Sequence, residues 1–228
     1  MQYVLHQAWF YNLSFKVNKH TLIPRPETEE LVELILKDLR FTTFDTQNKI
    51  SFNASNLSNN VQLLDIGTGS GCIPIAIKKN IPLASVTSVD VSKKALTVAK
   101  QNAQTHNTSI HFIELNFLDE ATWNSLPFFD IIVSNPPYIP AKEKEKLDQN
   151  VTLFEPHTAL FVPNENPLLF YEKIASFAKD HLNYNGKVYV ETHEHFAKEV
   201  ATTFSKHCSH TQVVKDIFGK ERMVIAFY

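Results

Sequence analysis

The sequence predicts an α/β fold with a doubly wound, mostly parallel, seven-stranded sheet and an antiparallel hairpin at one edge. Three observations support this prediction. From Val61 onward, short apolar runs alternate with amphipathic helical patterns, as expected of a parallel sheet covered by helices. A glycine cluster separates the first of these strands from the first helix, where such folds place a ligand-binding turn. The last two strands are separated by Gly219-Lys220-Glu221, which is typical of a hairpin.

The N-terminal part, residues 1–40, is predicted to contain a hairpin, a rigid loop and a helix. Aromatic and polar residues alternate in residues 2–23, and Asn12 can adopt the left-handed conformation of a tight turn. Leu22-Ile23-Pro24-Arg25-Pro26 forms the rigid loop, and the helix after it has acidic residues in its first turn. Its apolar face consists of Leu31, Leu34, Ile35 and Leu39. Residues 41–60 are polar and rich in asparagine, and we expect a flexible connection there.

Residues 61–228 are predicted to form the main domain. Each of its apolar runs is short and bounded by turn residues, which favours strands, whereas the longer segments between them have helical periodicity. The predicted strands are 61–66, 84–90, 110–114, 129–134, 186–191, 212–218 and 222–227. The predicted helices are 72–80, 93–106, 167–181 and 196–207.

Composition limits the class of protein. The chain has 228 residues, of which 43% are hydrophobic and 20% charged, as in a soluble globular domain with a full core. No apolar run approaches the ~20 residues of a membrane span, so we expect no membrane association. The N-terminus lacks a signal-peptide pattern, and Cys72 and Cys208 are too few for a disulfide framework. A cytoplasmic protein with free thiols is therefore expected.

Charge disfavours nucleic acid as a partner. The formal net charge is −2, and the arginines number three: Arg25, Arg40 and Arg222. Proteins that recognise duplex DNA usually have a basic face rich in arginine. The one dense lysine run, at 142–146, alternates with glutamates and is typical of a solvated helix face. The sequence leaves the oligomeric state open.

Asn135-Pro136-Pro137-Tyr138 directly follows a predicted buried strand. Two prolines in series cannot continue a strand, so the chain must turn at the strand's carboxyl end, where open α/β sheets bind ligands. Asn135 offers a side-chain carbonyl, and the prolines lack N–H groups, so nearby backbone carbonyls can face a ligand. Tyr138 adds a flat ring. This combination suits a planar NH2 group, with an acceptor for each of its hydrogens.

Three of the five glycines are concentrated in the stretch Gly67 to Gly71, between the first predicted strand and a helix. This concentration indicates positive φ angles or a close approach of backbone to ligand. The spacing is G-x-G-x-G, whereas the dinucleotide fingerprint would require glycine at the position of Cys72. The loop is therefore predicted to surround a nucleoside-like ligand rather than a pyrophosphate.

Two further strand ends carry polar residues. Asp90 ends the next strand, about 20 residues after the glycine loop, where a carboxylate can accept hydrogen bonds from both ribose hydroxyls. Asp90 could also cap the helix at Ser92, and the two roles are compatible. Asn116 and Phe117 follow the third strand, where an amide and a ring could bind an adenine edge, although Phe117 could equally belong to the core.

Together these motifs resemble class I S-adenosylmethionine-dependent methyltransferases, which are Rossmann-like. Within that class the sequence is most similar to the bacterial peptide chain release factor glutamine methyltransferases. The Asn-Pro-Pro-Tyr motif alone is shared with adenine-specific DNA methyltransferases, whereas the Pro-Arg-Pro-Glu-Thr and Phe-Glu-Pro segments favour the narrower family. The stretches that resemble it are 22–29, 64–71, 133–140, 154–160 and 219–222.

The resemblance implies methyl transfer from S-adenosylmethionine to the glutamine amide nitrogen in the Gly-Gly-Gln motif of a release factor, the expected protein partner. The implied cofactor-binding residues are Gly67, Thr68, Gly69, Ser70, Gly71, Asp90, Asn116, Phe117 and Asn135. The implied substrate-binding residues are Asn135, Pro136, Pro137 and Tyr138. For catalysis we assign acceptors to the Asn135 side chain and the Pro136 carbonyl, and packing on the flat amide to Tyr138.

Other interpretations remain open at this stage. An adenine N6 amino-methyltransferase acting on DNA or RNA would use the same turn, and a non-catalytic module could bind the same cofactor. We expect no metal, because the histidines at 193, 195, 207 and 210 have no standard ligand spacing. Arg25 could meet the cofactor carboxylate or the release factor, or form a structural ion pair. Glu155 could hold the substrate chain or its own turn.

The sequence departs from the family pattern in three places. Family members usually begin with a helical domain of several dozen residues, and this chain begins where that domain would end. Either the chain is a fragment or its substrate recognition is reduced. His6 and Asn12 stand where glycine is usual, and Glu191-Thr192-His193 replaces a Glu-x-Gly, which leaves the local backbone conformation open.

Overall fold

A computed structural model describes residues 5–41, 61–146, 152 and 154–228, so the predicted connection at 41–60 lies almost wholly outside the described residues. The strands are β1 (Gln7–Phe10), β2 (Leu13–Lys16), β3 (Gln62–Ile66), β4 (Ser85–Asp90), β5 (His111–Glu114), β6 (Phe129–Ser134), β7 (Ile139–Pro140), β8 (Phe161–Val162), β9 (Leu182–Glu191), β10 (His210–Lys215) and β11 (Glu221–Phe227). The helices are α1 (Pro26–Phe41), α2 (Cys72–Asn80), α3 (Lys93–Thr105), α4 (Leu169–His181) and α5 (Ala197–Ser205), with short 3-10 helices at Glu120–Ser125, Ala141–Lys146 and His157–Ala159.

Seven strands form one sheet in the order β10-β11-β9-β6-β3-β4-β5. The strands from β9 to β5 are parallel, whereas β11 is antiparallel to both β9 and β10. The predicted fold class is confirmed, including the edge hairpin. The strand order reverses on either side of β3, and ligands of open α/β sheets bind at such a switch point.

The register of the central strands brings two predicted motifs together. Ile66, the last residue of β3, is paired with Ser134, the last residue of β6. The Ser134 hydroxyl also donates a hydrogen bond of 2.8 Å to the Ile66 carbonyl, so the two strand ends are held side by side. The glycine loop and the Asn-Pro-Pro-Tyr turn therefore leave the sheet next to each other.

Hydrophobic cores cover both faces of this sheet. In β6, Ile131 and Val133 face a core with α1 and α2, whereas Ile132 faces a core with α4 and α5. This alternation follows from the two-residue period of a strand, and burial on both faces explains the continuous apolar run. Each fully buried side chain of this kind stabilises the fold by about 1.5–3 kcal/mol.

The predicted N-terminal hairpin is present as β1 and β2. Tyr11 and Asn12 form its turn with φ angles of 50° and 59°, the pair of positive values that defines a type I′ turn. Asn102 in α3 attaches this hairpin to the domain. Its side-chain oxygen accepts from the Lys16 N–H at 2.8 Å, and its nitrogen donates to the carbonyls of Lys16 and Ser70.

Some predicted bounds were wrong. The strand expected to reach Phe218 ends at Lys215, because the Asp216 carboxylate accepts from the N–H groups of Phe218 and Lys220 and closes a turn. The β9 strand begins at Leu182 rather than Gly186, because Leu182 pairs with Phe129 before a register shift. Among the described helices, none has the length and apolar character needed to cross a membrane.

Candidate active site

A cavity of about 420 Å³ opens at the carboxyl ends of β3, β4, β5 and β6. Residues at or just after the end of each strand line it, among them Gly67, Asp90, Asn116 and Asn135. Its volume falls in the range of about 300–1,000 Å³ that small-molecule sites occupy. Four sequence-predicted residues, which span almost 70 positions, are thus brought to one place by the parallel sheet.

The glycines of the loop have different roles. Gly67 and Gly69 line the cavity with φ angles of 77° and 56°, and a Cβ atom on either would meet nothing within 4 Å. Glycine is needed there for the left-handed backbone, which leaves open space beside it for a ligand. Gly71 has a φ angle of 81°, and its Cβ would lie 3.1 Å from the Ala99 Cβ. Gly71 therefore also permits close packing of α2 against α3.

Two other loop residues face inward. The side chains of Thr68 and Ser70 are buried, and neither residue is among those that line the cavity, nor is Gly71. Their predicted contact with a cofactor remains a prediction. Both residues support the loop through their backbone. The Thr68 N–H donates to the Val89 carbonyl at 3.1 Å, and the Ser70 carbonyl accepts from the Asn102 side chain at 2.9 Å.

Asp90 holds the glycine loop in place. One carboxylate oxygen accepts from the Gly69 N–H at 2.9 Å and the other from the Ser92 N–H at 2.8 Å. Ser92, not Asp90, is the N-cap of α3, because its hydroxyl accepts from the Ala95 N–H. Each Asp90 oxygen retains a lone pair, so the carboxylate can still accept from ligand hydroxyls.

Asp65 precedes the cavity-lining pair Ile66 and Gly67, and sequence reasoning assigned it no separate role. Its side chain is fully buried, and neither oxygen has a hydrogen-bond partner among the described residues. Burial raises the pKa of Asp65 to about 7, which the nearby hydroxyls of Thr68 and Ser88 partly offset. Asp65 does not line the cavity, so its buried carboxyl belongs to the base of the glycine loop.

Asn116 and Phe117 are candidates for binding a base and, in the case of Phe117, for a place in the core. Asn116 is exposed and lines the cavity, and its side-chain oxygen accepts from the Leu118 N–H at 3.2 Å. Phe117 also lines the cavity but is a core residue, with its ring 5.4 Å from Trp123 and 5.2 Å from Phe177. The core thus fixes the orientation of a ring beside the cavity.

The turn after β6 presents unpaired acceptors. Asn135, Pro136 and Pro137 line the cavity. The Asn135 side-chain nitrogen donates to the Thr28 hydroxyl at 3.0 Å. Within the described part of the chain, no group donates to the Asn135 side-chain oxygen or to the Pro136 carbonyl. Both oxygens can therefore accept from a ligand N–H.

Tyr138 is hydrogen-bonded to Glu191, the last residue of β9. It is not among the cavity-lining residues, and its hydroxyl donates to Glu191 at 3.2 Å. Burial, together with the adjacent Glu191 charge, raises the pKa of Tyr138 well above its ordinary value. The phenol is therefore neutral, and its position suits packing rather than proton transfer. Its ring lies 6.1 Å from that of His193.

Thr28 and Glu191 are functional candidates that sequence reasoning missed. Both side chains are buried, and the Thr28 hydroxyl donates to Glu191 at 2.6 Å. Burial raises the pKa of Glu191 to about 7, although its hydrogen bonds with Thr28 and Tyr138 lower it. The sequence could have indicated Glu191 through its position at the carboxyl end of a central strand, where ligands of such sheets bind.

The backbone at His193, where the family usually has glycine, does not have a positive φ angle, so this chain does not need glycine at position 193.

Arg25 and Glu155 pair with each other. The Arg25 guanidinium donates to the buried Glu155 carboxylate at 2.5 Å, so of the roles considered for Arg25 the structure has the ion pair. The loops on either side of this pair line the cavity through Leu22 and Pro156. Among the described residues, His, Cys, Asp and Glu side chains form no cluster of three or more that could hold a metal ion.

Comparison with known proteins identifies the family. The methyltransferase small domain family model matches residues 45–157. The release factor glutamine methyltransferase of Flavobacterium psychrophilum is 45% identical over 225 residues, which cover 98% of this chain and 74% of the relative. The chain belongs to the release factor glutamine methyltransferase family. The protein of the same name from Streptococcus pneumoniae is 42% identical over 98% of this chain and 73% of its own length.

Solved structures of low sequence identity share the fold. A Thermus thermophilus 16S ribosomal RNA methyltransferase, in complex with AdoMet and guanosine, matches 97% of this chain and 49% of its own with a TM-score of 0.62 at 13% identity. A methyltransferase from Pyrococcus furiosus matches 88% of this chain and 98% of its own with a TM-score of 0.53 at 18% identity. The class I methyltransferase fold of the family member is thereby supported independently of its motifs.

Proposed function

We propose that this family member transfers a methyl group from S-adenosylmethionine to the side-chain amide nitrogen of the glutamine in the Gly-Gly-Gln motif of peptide chain release factors. The observation that carries the proposal is the pair of unpaired acceptors, on Asn135 and Pro136, at the cavity edge beside the glycine loop. A primary amide has two N–H hydrogens in one plane, and two acceptors at a rigid turn match them. The names of the curated relatives supply the substrate class.

The residues of the cavity fit the methyl donor. Gly67 and Gly69 leave space beside a left-handed backbone, and Asp90 retains lone pairs for two hydroxyls of a ribose. Phe117 lines the cavity and offers a ring to a base. S-adenosylmethionine combines a nucleoside with a positive sulfonium, and it supplies an activated methyl group when bound.

The protein must compensate for a weak nucleophile. The lone pair of an amide nitrogen is delocalised into the carbonyl, so positive charge must be accommodated on the nitrogen as it reacts. The acceptors on Asn135 and Pro136 hold the two N–H bonds and thereby orient the nitrogen and stabilise that charge, which is lost when one of the two protons leaves to solvent after the methyl group is bonded to nitrogen. Orientation of this kind accounts for about 7–11 kcal/mol of barrier lowering in favourable cases. Tyr138 is not in the cavity lining, and we assign it support of the turn through its hydrogen bond to Glu191.

The partner and compartment follow from the proposed substrate. Release factors act in translation, so we place the reaction in the cytoplasm. Nucleic acid is not proposed as a substrate, because the net charge is −2 and arginines are few. An adenine amine presents the same two hydrogens as a glutamine amide, so the acceptors on their own do not separate the two substrates.

The test is a methyl-transfer assay with competing substrates. The protein is incubated with methyl-labelled S-adenosylmethionine and either a bacterial release factor, the same factor with its Gly-Gly-Gln glutamine replaced by alanine, or duplex DNA rich in adenine. We expect label in the first sample alone, on the glutamine side chain by peptide mass spectrometry. Label in DNA but not in the release factor would overturn the proposal.

A further inference from the structure

We propose that Thr28 is a positioning residue that fixes the Asn135 amide with its oxygen toward the cavity, and that Glu191 keeps the Thr28 hydroxyl in the state that does so. The inference rests on the proposed function, because it concerns the acceptor that receives the substrate N–H. It assigns a role to two side chains that lie outside the cavity lining.

A continuous hydrogen-bonded chain connects the three residues. The Asn135 side-chain nitrogen lies 3.0 Å from the Thr28 hydroxyl, which lies 2.6 Å from one oxygen of Glu191. The other oxygen of Glu191 lies 3.2 Å from the Tyr138 hydroxyl. The Tyr171 hydroxyl donates to the Glu191 backbone carbonyl at 3.0 Å and helps to fix the end of β9.

The direction of each hydrogen bond follows from counting protons. Above pH 7, where Glu191 is ionised, its carboxylate has acceptors only, so Thr28 must donate its single hydroxyl proton to it. The Thr28 oxygen can then only accept, and the group that donates to it must be the nitrogen of Asn135. The carbonyl oxygen of the same amide is therefore directed away from Thr28. Exchanging the two ends of the amide would place two lone-pair oxygens against each other.

Burial makes this constraint effective. Thr28 is 3% exposed and Glu191 is 1% exposed, so water does not substitute for a lost partner at either group. The participants also come from separate rigid elements, with Thr28 in α1, Asn135 after β6 and Glu191 at the end of β9. If the Asn135 amide rotated to exchange its oxygen and nitrogen, one buried polar group of this network would lose its hydrogen-bond partner.

The fixed amide also determines which substrates the site accepts. An outward oxygen binds an N–H donor, whereas an outward NH2 group would bind a carboxylate or carbonyl. The network therefore selects a substrate amide over the corresponding acid. The same carboxylate accepts from Tyr138, so one buried acid holds both the Asn135 side chain, through Thr28, and the far end of the turn.

The decisive variant is Thr28→Val, which keeps the shape of the side chain and removes its hydroxyl. We expect kcat for release factor methylation to fall about tenfold, which corresponds to roughly 1.4 kcal/mol. The KM for the release factor and the calorimetric Kd for S-adenosylmethionine should change less than twofold. Thr28→Ser restores the hydroxyl and should retain at least half of the wild-type kcat.

Thr203→Val is the matched control. The Thr203 hydroxyl is also buried, but it donates to the Glu199 carbonyl within α5. Thr203→Val should lower the thermal unfolding temperature about as much as Thr28→Val does, and it should leave kcat unchanged. A structural effect of losing a buried hydroxyl would therefore appear equally in both valine variants.

A second readout does not depend on methylation. In ¹⁵N-labelled protein, the Asn135 side-chain NH2 signals are assigned by their loss in Asn135→Ala. They should be slow to exchange with solvent in the wild type and in Thr28→Ser, and fast to exchange in Thr28→Val. If the wild type does not methylate release factor, the proposed function fails and the exchange rates alone decide the inference.

Two results would overturn the inference. The first is kinetic: Thr28→Val has the kcat of the wild type, or Thr28→Ser has a kcat as low as that of Thr28→Val. The other is an Asn135 NH2 exchange rate that is the same in all three proteins. If Thr28→Val does not fold, Thr28→Ala, which also lacks the hydroxyl, takes its place in the kinetic and exchange comparisons with Thr28→Ser and the wild type.

Discussion

The guanidinium of Arg25 and the carboxylate of Glu155 form an ion pair at 2.5 Å that joins two segments 130 residues apart in the sequence. The Glu155 side chain is 3% exposed, and its second oxygen has no partner among the described residues. Burial raises the pKa of Glu155, and the charge and hydrogen bond of Arg25 oppose that rise. The pair therefore holds a buried acid in place between two cavity-lining loops.

Removing one partner should cost more than removing both. Arg25→Ala leaves the Glu155 charge buried and unpaired, so we expect a loss of about 1–3 kcal/mol in the free energy of unfolding. Adding Glu155→Gln to that variant should recover part of the loss, since the uncompensated charge is gone. Urea unfolding of the two single variants and the double variant measures this coupling, and strictly additive losses would contradict it.

The acceptor role of Asn135 predicts a selective kinetic defect. Asn135→Ala removes one acceptor for the substrate N–H, and kcat should fall about 10²–10³-fold, as for removal of one preorganised group that stabilises charge. Cofactor affinity, measured by calorimetry, should survive. Asn124→Ala, at an exposed position in a 3-10 helix, provides a control that should behave as wild type. Wild-type kcat in a radiolabelled assay would remove Asn135 from the mechanism.

The polar strand ends of the site could be predicted because each is adjacent in sequence to the strand that positions it. Gly67, Asp90 and Asn135 directly follow or end buried strands, and the parallel sheet brings these ends together. The partnership of Thr28 with Glu191 could not be predicted, because the two residues are 163 positions apart and only tertiary packing joins them.

Local motifs also did not specify which side chains face the ligand. The loop pattern groups Gly67 with Ser70 and Gly71, yet the serine is buried and the last glycine accommodates Ala99. Consecutive residues in a tight loop point in different directions, and the pattern of residue types does not specify which of them point toward the ligand. Phe117 shows the same limit, since a ring at a strand end can serve a core and a cavity together.

Asp90 should be required for cofactor affinity. Asp90→Asn replaces one acceptor oxygen with an NH2 group, which opposes a backbone N–H and no longer accepts from a ribose hydroxyl. We expect the Kd for S-adenosylmethionine to rise about 10- to 100-fold, the effect of losing a charge-assisted hydrogen bond. Calorimetry measures it.

Asp216→Asn is the matched control, because Asp216 also accepts from two backbone N–H groups but lies in the β10–β11 turn. It should lower stability and leave the Kd unchanged. If Asp90→Asn leaves the Kd for S-adenosylmethionine unchanged, Asp90 does not bind the cofactor and serves only to support the loop.

The left-handed backbone at His6 predicts a stabilising substitution. His6 has a φ angle of 52°, a conformation that costs an ordinary L-residue about 1–2 kcal/mol. Glycine adopts it freely but loses about 0.5–1 kcal/mol through the entropy of the unfolded chain. We therefore expect His6→Gly to raise the free energy of unfolding by about 0.5–1 kcal/mol. Asn12→Gly, at φ 59°, should change it by less, because asparagine tolerates this region. A lower unfolding temperature for His6→Gly would contradict the argument.

The raised pKa of Glu191 predicts opposite effects of pH on stability and activity. The pKa is about 7 in the folded protein against an ordinary 4.5, so the folded state binds the proton more tightly than the unfolded state. The contribution of Glu191 to stability is therefore greatest below pH 4.5 and is lost as pH rises to about 7. Glu27 opposes ionisation of this carboxyl, whereas Arg222 favours it. The neutral phenol of Tyr138 donates to the carboxyl, and the Tyr171 hydroxyl donates to the Glu191 backbone carbonyl.

Activity should change in the other direction. Above pH 7 the carboxylate accepts from Thr28 and directs the Asn135 oxygen toward the substrate, whereas below pH 7 a protonated Glu191 can donate and releases that constraint. We expect kcat to fall as pH decreases through about 7, and Glu191→Gln, which resembles the protonated acid, to be impaired at pH 8 but close to wild type at pH 6. Asp65 also has a pKa of about 7, so the difference between wild type and Glu191→Gln at each pH isolates the contribution of Glu191. Parallel pH profiles for the two proteins would assign the titration to another group.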